Sequence, residues 1–180
     1  MSRIPSVTYA LATPAQTELF ASVQKAMGAV PNLISTMGHS VAATKSYLAF
    51  SQALSHGILS GPIREQVALT VAEANGCNYC LAAHTALGSR AGLTAEQIAQ
   101  ARRGLSTHAH TAALLALARL LVEQRGRIDD AALATARLAG VTDAEITEVI
   151  ANVALNVFTN YFNHVADTPV DFPAAPVLAA

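Results

Sequence analysis

Apolar residues recur at helical spacing over most of the chain, and no stretch alternates apolar with polar as a half-buried strand would. Ala and Leu, both good helix formers, dominate the apolar positions. Residues 1–13 read as an extended arm. Thr13-Pro14 then starts a helix, with Thr as the cap and Pro in the first turn, that runs to about Met27 and stops at Gly28. Pro31 opens a short helix through Met37, and Val41 to Ser55 forms another that ends near Gly57. Ser60-Gly61-Pro62 opens a helix to Ala74, Asn75-Gly76 stops it, and the next begins near Cys77. Thr94 and Gln97 are spaced as a capping box for a helix reaching about Arg103. Helices follow from His110 to Glu123, from Asp129 or Asp130 to Gly140, and from a second capping box at Thr142 and Glu145 to about Val165. Pro169, Pro173 and Pro176 keep a tail of residues 167–180 irregular. The expectation is a single all-α domain over residues 1–180, a bundle of eight or nine helices.

Composition changes the picture in two ways. Hydrophobic residues make up 52% of the chain and charged residues 13%, about half the charged share of an average soluble domain. So few charges leave apolar surface for other copies of the chain to cover, and a homo-oligomer is expected. Mean hydropathy is +0.36, yet the longest apolar run, Ala112 to Ala118, is too short to span a membrane and is closed by Arg119. A formal net charge of -1 without any Lys/Arg cluster gives no basis for nucleic-acid binding. The first residues, Met-Ser-Arg-Ile-Pro-Ser-Val-Thr, lack the apolar core of a secretory signal, so the expected location is cytoplasmic.

The chemistry gathers between Glu65 and His84. Cys77 and Cys80, the only two cysteines, form a C-x-x-C pair, and His84 follows the second by four residues. A helix beginning near Cys77 lines up Cys77, Cys80 and His84 along one edge. Its N-terminus favours thiolate over thiol, and His84 is spaced to take the proton of Cys80. In the preceding helix Gln66, Thr70 and Glu73 form a polar stripe, whereas Glu65 falls in line with Ala68, Leu69 and Ala72. A carboxylate on an apolar stripe needs a partner, and Glu65 is expected to face Cys80 and His84 and relay protons. A zinc site is the bland alternative, with His164 or Glu65 as a fourth ligand beside the cysteines and His84. No Gly-rich phosphate loop is present, and no metal, flavin or nucleotide is expected. The last helix carries a ladder of Asn152, Asn156, Asn160, Asn163 and His164, with Asn160 and His164 candidates for the substrate pocket. Tyr79, between the cysteines, is a candidate gate to the same pocket.

The spacing E-x(11)-C-x-x-C-x(3)-H, given by Glu65, Cys77, Cys80 and His84, resembles the AhpD-like alkylhydroperoxidase branch of the carboxymuconolactone decarboxylase superfamily. The run Asn160-Tyr-Phe-Asn-His-Val-Ala166 with Asp171-Phe-Pro173 resembles the C-terminus of its peroxidase-related members. The resemblance covers roughly residues 10–173. It implies an AhpD-like helical bundle assembled as a trimer or hexamer. It also implies hydroperoxide reduction through a cysteine sulfenic acid and then a disulfide, reset by an external dithiol or thiol protein. By that resemblance Cys80 is the attacking cysteine, Cys77 resolves, His84 is the base and Glu65 belongs to the proton relay. Tyr79 is a departure, since a well-studied branch carries a histidine between the cysteines. Lactone decarboxylation on the same fold is the rival enzymatic reading, and it has no need of a C-x-x-C pair. A zinc-holding or redox-switched binding protein is the non-catalytic one.

Overall fold

The computed structural model describes residues 2–178. Among them a single 3₁₀ turn at Tyr9–Leu11 precedes nine α-helices: α1 (Pro14–Met27), α2 (Asn32–Met37), α3 (Val41–Ser55), α4 (Gly61–Ala74), α5 (Asn78–Arg90), α6 (Ala95–Arg102), α7 (Ala109–Glu123), α8 (Asp130–Leu138) and α9 (Asp143–Ala166). No strand forms among the described residues, so the class is all-α as expected.

Local chemistry sets most helix ends. Thr13 with Gln16, Thr94 with Gln97 and Thr142 with Glu145 all form reciprocal capping boxes. Ser40 and Asp129 cap α3 and α8 through their side chains. Gly28 closes α1 at φ 80°, a conformation that costs glycine nothing. The differences from expectation are small: α7 starts at Ala109 rather than His110, and α8 stops at Leu138 rather than Gly140.

Helix α4 is the hub, packed against α5, α6, α7 and α9. Every residue from Gln66 to Ala72 is buried. The expected polar stripe is therefore corrected, because Gln66 and Thr70 lie inside. The Thr70 hydroxyl donates toward the carbonyls of Gln66 (3.0 Å) and Ala101 (2.6 Å), which removes the penalty of burying it. The largest apolar cluster joins α4, α6, α7, α8 and α9 around Val67, Val71, Leu114, Leu115 and Val149. A second cluster packs Leu33 and Met37 of α2 on Ala72, Cys77, Tyr79 and Cys80. A third holds α1 to α2 through Leu19, Phe20, Val23 and Ile34.

The two termini are pinned across the bundle. In the arm, Val7 N–H donates to Ser35 O and Arg3 N–H to Ala166 O, and the 3₁₀ turn corrects the fully extended reading. Among the described residues the tail after α9 has no regular structure, but it forms a strap. Asn32 donates from its backbone N–H to Asp171 and from its side chain to Pro169 O. Phe172 packs edge-on to Tyr79 with ring centres 5.8 Å apart. Arg102, paired with Glu73, also holds Pro176 O. Phe172 and Ala175 thereby pack onto the cluster that contains both cysteines. Along α3 only Thr44 is buried, and Phe50, Ile150, Phe158, Tyr161 and Val165 of α3 and α9 are exposed. Phe50 and Phe158 thus do not belong to the core of the single chain.

Candidate active site

The break between α4 and α5 builds the site. Asn75 ends α4, Gly76 turns the chain at φ 65°, and Cys77 becomes the N-cap of α5. The Cys80 N–H donates to Cys77 Sγ at 3.3 Å, so a thiol sulfur fills the place usually taken by a Ser or Asp oxygen. The two cysteines are joined as a disulfide, with Cα atoms 5.3 Å apart. They are 1% and 3% exposed, covered by α2, Tyr79 and the tail strap. When reduced, both sulfurs would lie in the first turn of α5, where the helix end favours a negative charge.

Glu65 and His84 meet as the sequence suggests they should. His84 Nδ1 lies 2.8 Å from Glu65 Oε2, with each side chain 22% exposed. A carboxylate acceptor fixes the Nδ1–H tautomer, which leaves Nε2 with a free lone pair to receive a proton. Gly88, one turn beyond His84, permits the close approach of α5 to α4. A Cβ there would sit 3.1 Å from Leu93 Cδ1 and 3.8 Å from Glu65 Cβ. The pair opens on a cavity of about 80 Å³. Tyr47 and Ser51 of α3, Arg64 of α4, and Asn152, Asn156 and Thr159 of α9 give its polar lining, beside Leu54, Ala68 and Leu155. Burial, and then the Glu65 carboxylate, hold the Tyr47 hydroxyl above the usual tyrosine range. Tyr47 and Arg64 carry no sequence motif, so spacing alone gave no signal for them.

The cysteines lie outside that lining. No hydrogen bond joins His84 to Cys80 in this disulfide state, so the expected direct contact is absent here. Instead Asn163 Nδ2 donates to Cys80 Sγ at 3.3 Å. The ladder on α9 is therefore split. Asn152 and Asn156 bond back to their own helix, at Glu148 O and Asn152 O, and line the cavity. Asn160 and Asn163 belong to the cysteine side, where Asn160 Oδ1 accepts from Asn75 Nδ2 at 2.9 Å. Asn160 Nδ2 and Asn163 Oδ1 have no partner among the described residues.

The other pocket candidates fall in different places. His164 is exposed, and its backbone carbonyl, rather than its ring, receives Arg3. The His164 ring therefore lines neither the cavity nor the cysteine turn. Tyr79 is buried, and its hydroxyl accepts the Leu33 N–H at 3.1 Å. Burial, together with the nearby Asp171 carboxylate, pushes its hydroxyl far above the usual range, so it stays protonated. Tyr79 is thus a clamp between α5, α2 and the strap. Among the described residues no three His, Cys, Asp or Glu side chains gather to hold a metal ion.

This arrangement, a C-x-x-C turn on an all-helical bundle with a Glu–His pair beside it, defines a helical dithiol protein. Residues 42–123, from the start of α3 to the end of α7, match the model of the Carboxymuconolactone decarboxylase family. Among solved structures, the alkylhydroperoxidase AhpD core of an uncharacterized peroxidase-related protein from Ralstonia eutropha JMP134 is similar at 22% identity. It covers 94% of this chain and 92% of that one, with a TM-score of 0.83. A peroxidase-related protein from Silicibacter sp. TM1040 is similar at 21% identity over 93% and 92%, with a TM-score of 0.80. The debrominase Bmp8, as a C82A variant with 2,3,4-tribromopyrrole, shares the fold at 17% identity over 95% and 92%, with a TM-score of 0.79. Comparison with curated protein sequences gives no match. Over residues 42–123 the chain is thus similar to the Carboxymuconolactone decarboxylase family, and its fold is that of the AhpD-like solved structures.

Proposed function

We propose that this protein is a thiol-dependent peroxidase that reduces hydroperoxides through Cys80 and Cys77. The observation that carries the reading is the Glu65–His84 pair, 2.8 Å apart and one helical turn from a buried cysteine pair at the start of α5. In the reduced protein, His84 Nε2 takes the Cys80 proton while Glu65 holds Nδ1–H. The Cys80 thiolate attacks the terminal peroxide oxygen, an S–O bond forms and the O–O bond breaks. The leaving alkoxide takes the proton from His84 and departs as an alcohol, or as water from hydrogen peroxide. The Cys77 sulfur then attacks Cys80, forming the S–S bond. The S–O bond breaks, and the released hydroxide takes the Cys77 proton and departs as water. Two electrons and two protons from an external dithiol or thiol protein reset the pair. No metal or organic cofactor takes part.

The exposed aromatic and aliphatic side chains of α3 and α9 support a homo-oligomer. Among the described residues no helix is long and apolar enough to cross a membrane. The test is peroxide consumption with a dithiol reductant. Cys80→Ser abolishes turnover. Cys77→Ser permits one reaction and leaves a sulfenic acid that a dimedone-type probe traps. Wild-type protein that consumes no peroxide while binding one zinc per chain would overturn the proposal and favour a non-catalytic metal-holding role. Turnover of a lactone by the Cys77→Ser, Cys80→Ser double variant would favour decarboxylation.

A further inference from the structure

We infer that Asn163 is a catalytic residue of this site, its amide N–H holding the Cys80 thiolate, and that with Asn160 it forms the seat for the hydroperoxide O–O–H group. The inference rests on the peroxidase reading above and names the side of the site on which the peroxide is held.

Three observations converge on α9. First, Asn163 Nδ2, from a side chain 4% exposed, donates to Cys80 Sγ. It is the donor the structure gives to that sulfur, whereas the first-turn N–H of Cys80 donates to Cys77 Sγ. His84, the residue spacing would nominate, is engaged with Glu65 instead. Second, Asn163 Oδ1 and Asn160 Nδ2 are buried and unpaired, one an acceptor and the other a donor. Buried polar atoms without partners are rare, and two of opposite sense lie here one helical turn apart. Third, the Asn160 side chain is oriented from outside the helix. Its Oδ1 accepts from Asn75, in the turn that delivers Cys77, so Nδ2 is left as the free donor.

A hydroperoxide matches this pair. Its terminal O–H donates to Asn163 Oδ1, which sets the terminal oxygen beside the Cys80 sulfur, since Oδ1 and Nδ2 share one amide carbon. Asn160 Nδ2 donates to the second oxygen, where negative charge develops as the O–O bond breaks. The sulfur becomes S–OH, and the leaving oxygen receives its proton from His84. The titratable groups around Cys80 are Cys77 at the N-cap of α5, Tyr79 on α5, His84 with Glu65 of α4 behind it, Tyr47 of α3, and Asp171 of the strap beside Tyr79. Among the described residues α9 brings Phe162 and neutral amides to this cluster, so a change at Asn163 alters hydrogen bonding without altering charge.

The decisive measurement is the pH dependence of iodoacetamide alkylation of Cys80 in reduced protein carrying Cys77→Ser, with and without Asn163→Leu. Loss of a donor to a charged acceptor raises the thiol pKa by about one to two units. Asn160→Leu leaves that pKa in place and slows sulfenic acid formation about tenfold or more. An unmoved thiol pKa in folded Asn163→Leu protein would overturn the inference. So would an unaltered peroxide rate in Asn160→Leu protein. Should the leucine variants fail to fold, the Asn163 side-chain NH₂ resonances of the reduced wild type are followed by NMR, and their failure to shift as Cys80 ionises overturns it equally. Peroxide inertness of the wild type with a shifted thiol pKa in Asn163→Leu would instead sink the peroxidase reading and leave the thiolate donor standing.

Discussion

Glu65→Gln separates a proton relay from a structural ion pair. The two side chains are 2.8 Å apart and each 22% exposed, between a surface pair and a fully buried one. A charge-assisted hydrogen bond contributes about 1.5–3 kcal/mol when buried, and partial exposure brings this one to the bottom of that range or below it, roughly 1–1.5 kcal/mol. That loss lowers the melting temperature by about 2–6 °C for a chain of this length. The effect on rate is larger and has a separate cause. A glutamine amide offers His84 Nδ1 an N–H, which selects the opposite tautomer and puts the proton on Nε2. An Nε2–H imidazole has no lone pair there to take the Cys80 proton, so the step loses most of a base contribution of about 10²–10⁴-fold. The assay is stopped-flow sulfenic acid formation at neutral pH alongside calorimetry. Glu65→Asp, which keeps the acceptor, recovers part of the rate. A variant that loses stability by the stated amount but reacts at the wild-type rate refutes the relay and leaves a structural pair.

Three further outcomes are expected. Gly88→Val drives new methyl groups into Leu93 and the backbone-proximal part of Glu65, at a cost of about 1–3 kcal/mol in thermal stability and with loss of the Glu65–His84 contact. At the start of α9, burial raises the Glu145 pKa, but the Thr142 N–H and hydroxyl and the His110 imidazole outweigh it and hold the carboxylate below its usual range. A depressed folded pKa gives stability that is present above the ordinary glutamate value and is lost as pH falls through the folded one; a thermal-shift series across that acid range shows a smaller decline in Glu145→Gln protein than in the wild type. Phe158→Glu places a charge in the patch where Phe158 is 42% and Tyr161 58% exposed, and sedimentation velocity then reports smaller species than the wild type.

The sequence made the helices and half of the site visible. Threonine with Gln or Glu three residues on marked two helix starts and Thr-Pro a third, because that chemistry is local and complete within one turn. Cys77, Cys80 and His84 were legible as a short spacing along α5, and the tight turn between α4 and α5 sets Glu65 against His84, but the direct approach of His84 to Cys80 that the spacing suggested is absent. The phase of α9 was not. Asn163 and His164 are neighbours about 100° apart around the helix, and histidine draws the eye, yet packing turns Asn163 inward and His164 out. Burial of Gln66 and Thr70 was hidden for a related reason. A hub helix enclosed on all sides needs no polar face, and its hydroxyls are satisfied by carbonyls that no local pattern reveals.

The strap over the sulfurs has a consequence for the life of the chain. Phe172 and Ala175 lie far beyond Cys77 and Cys80 in order of synthesis. A ribosome therefore delivers the thiols long before their cover exists, and for that interval a nascent chain carries them unshielded. Only the finished protein encloses the pair, beneath Phe172 and Ala175 of the strap.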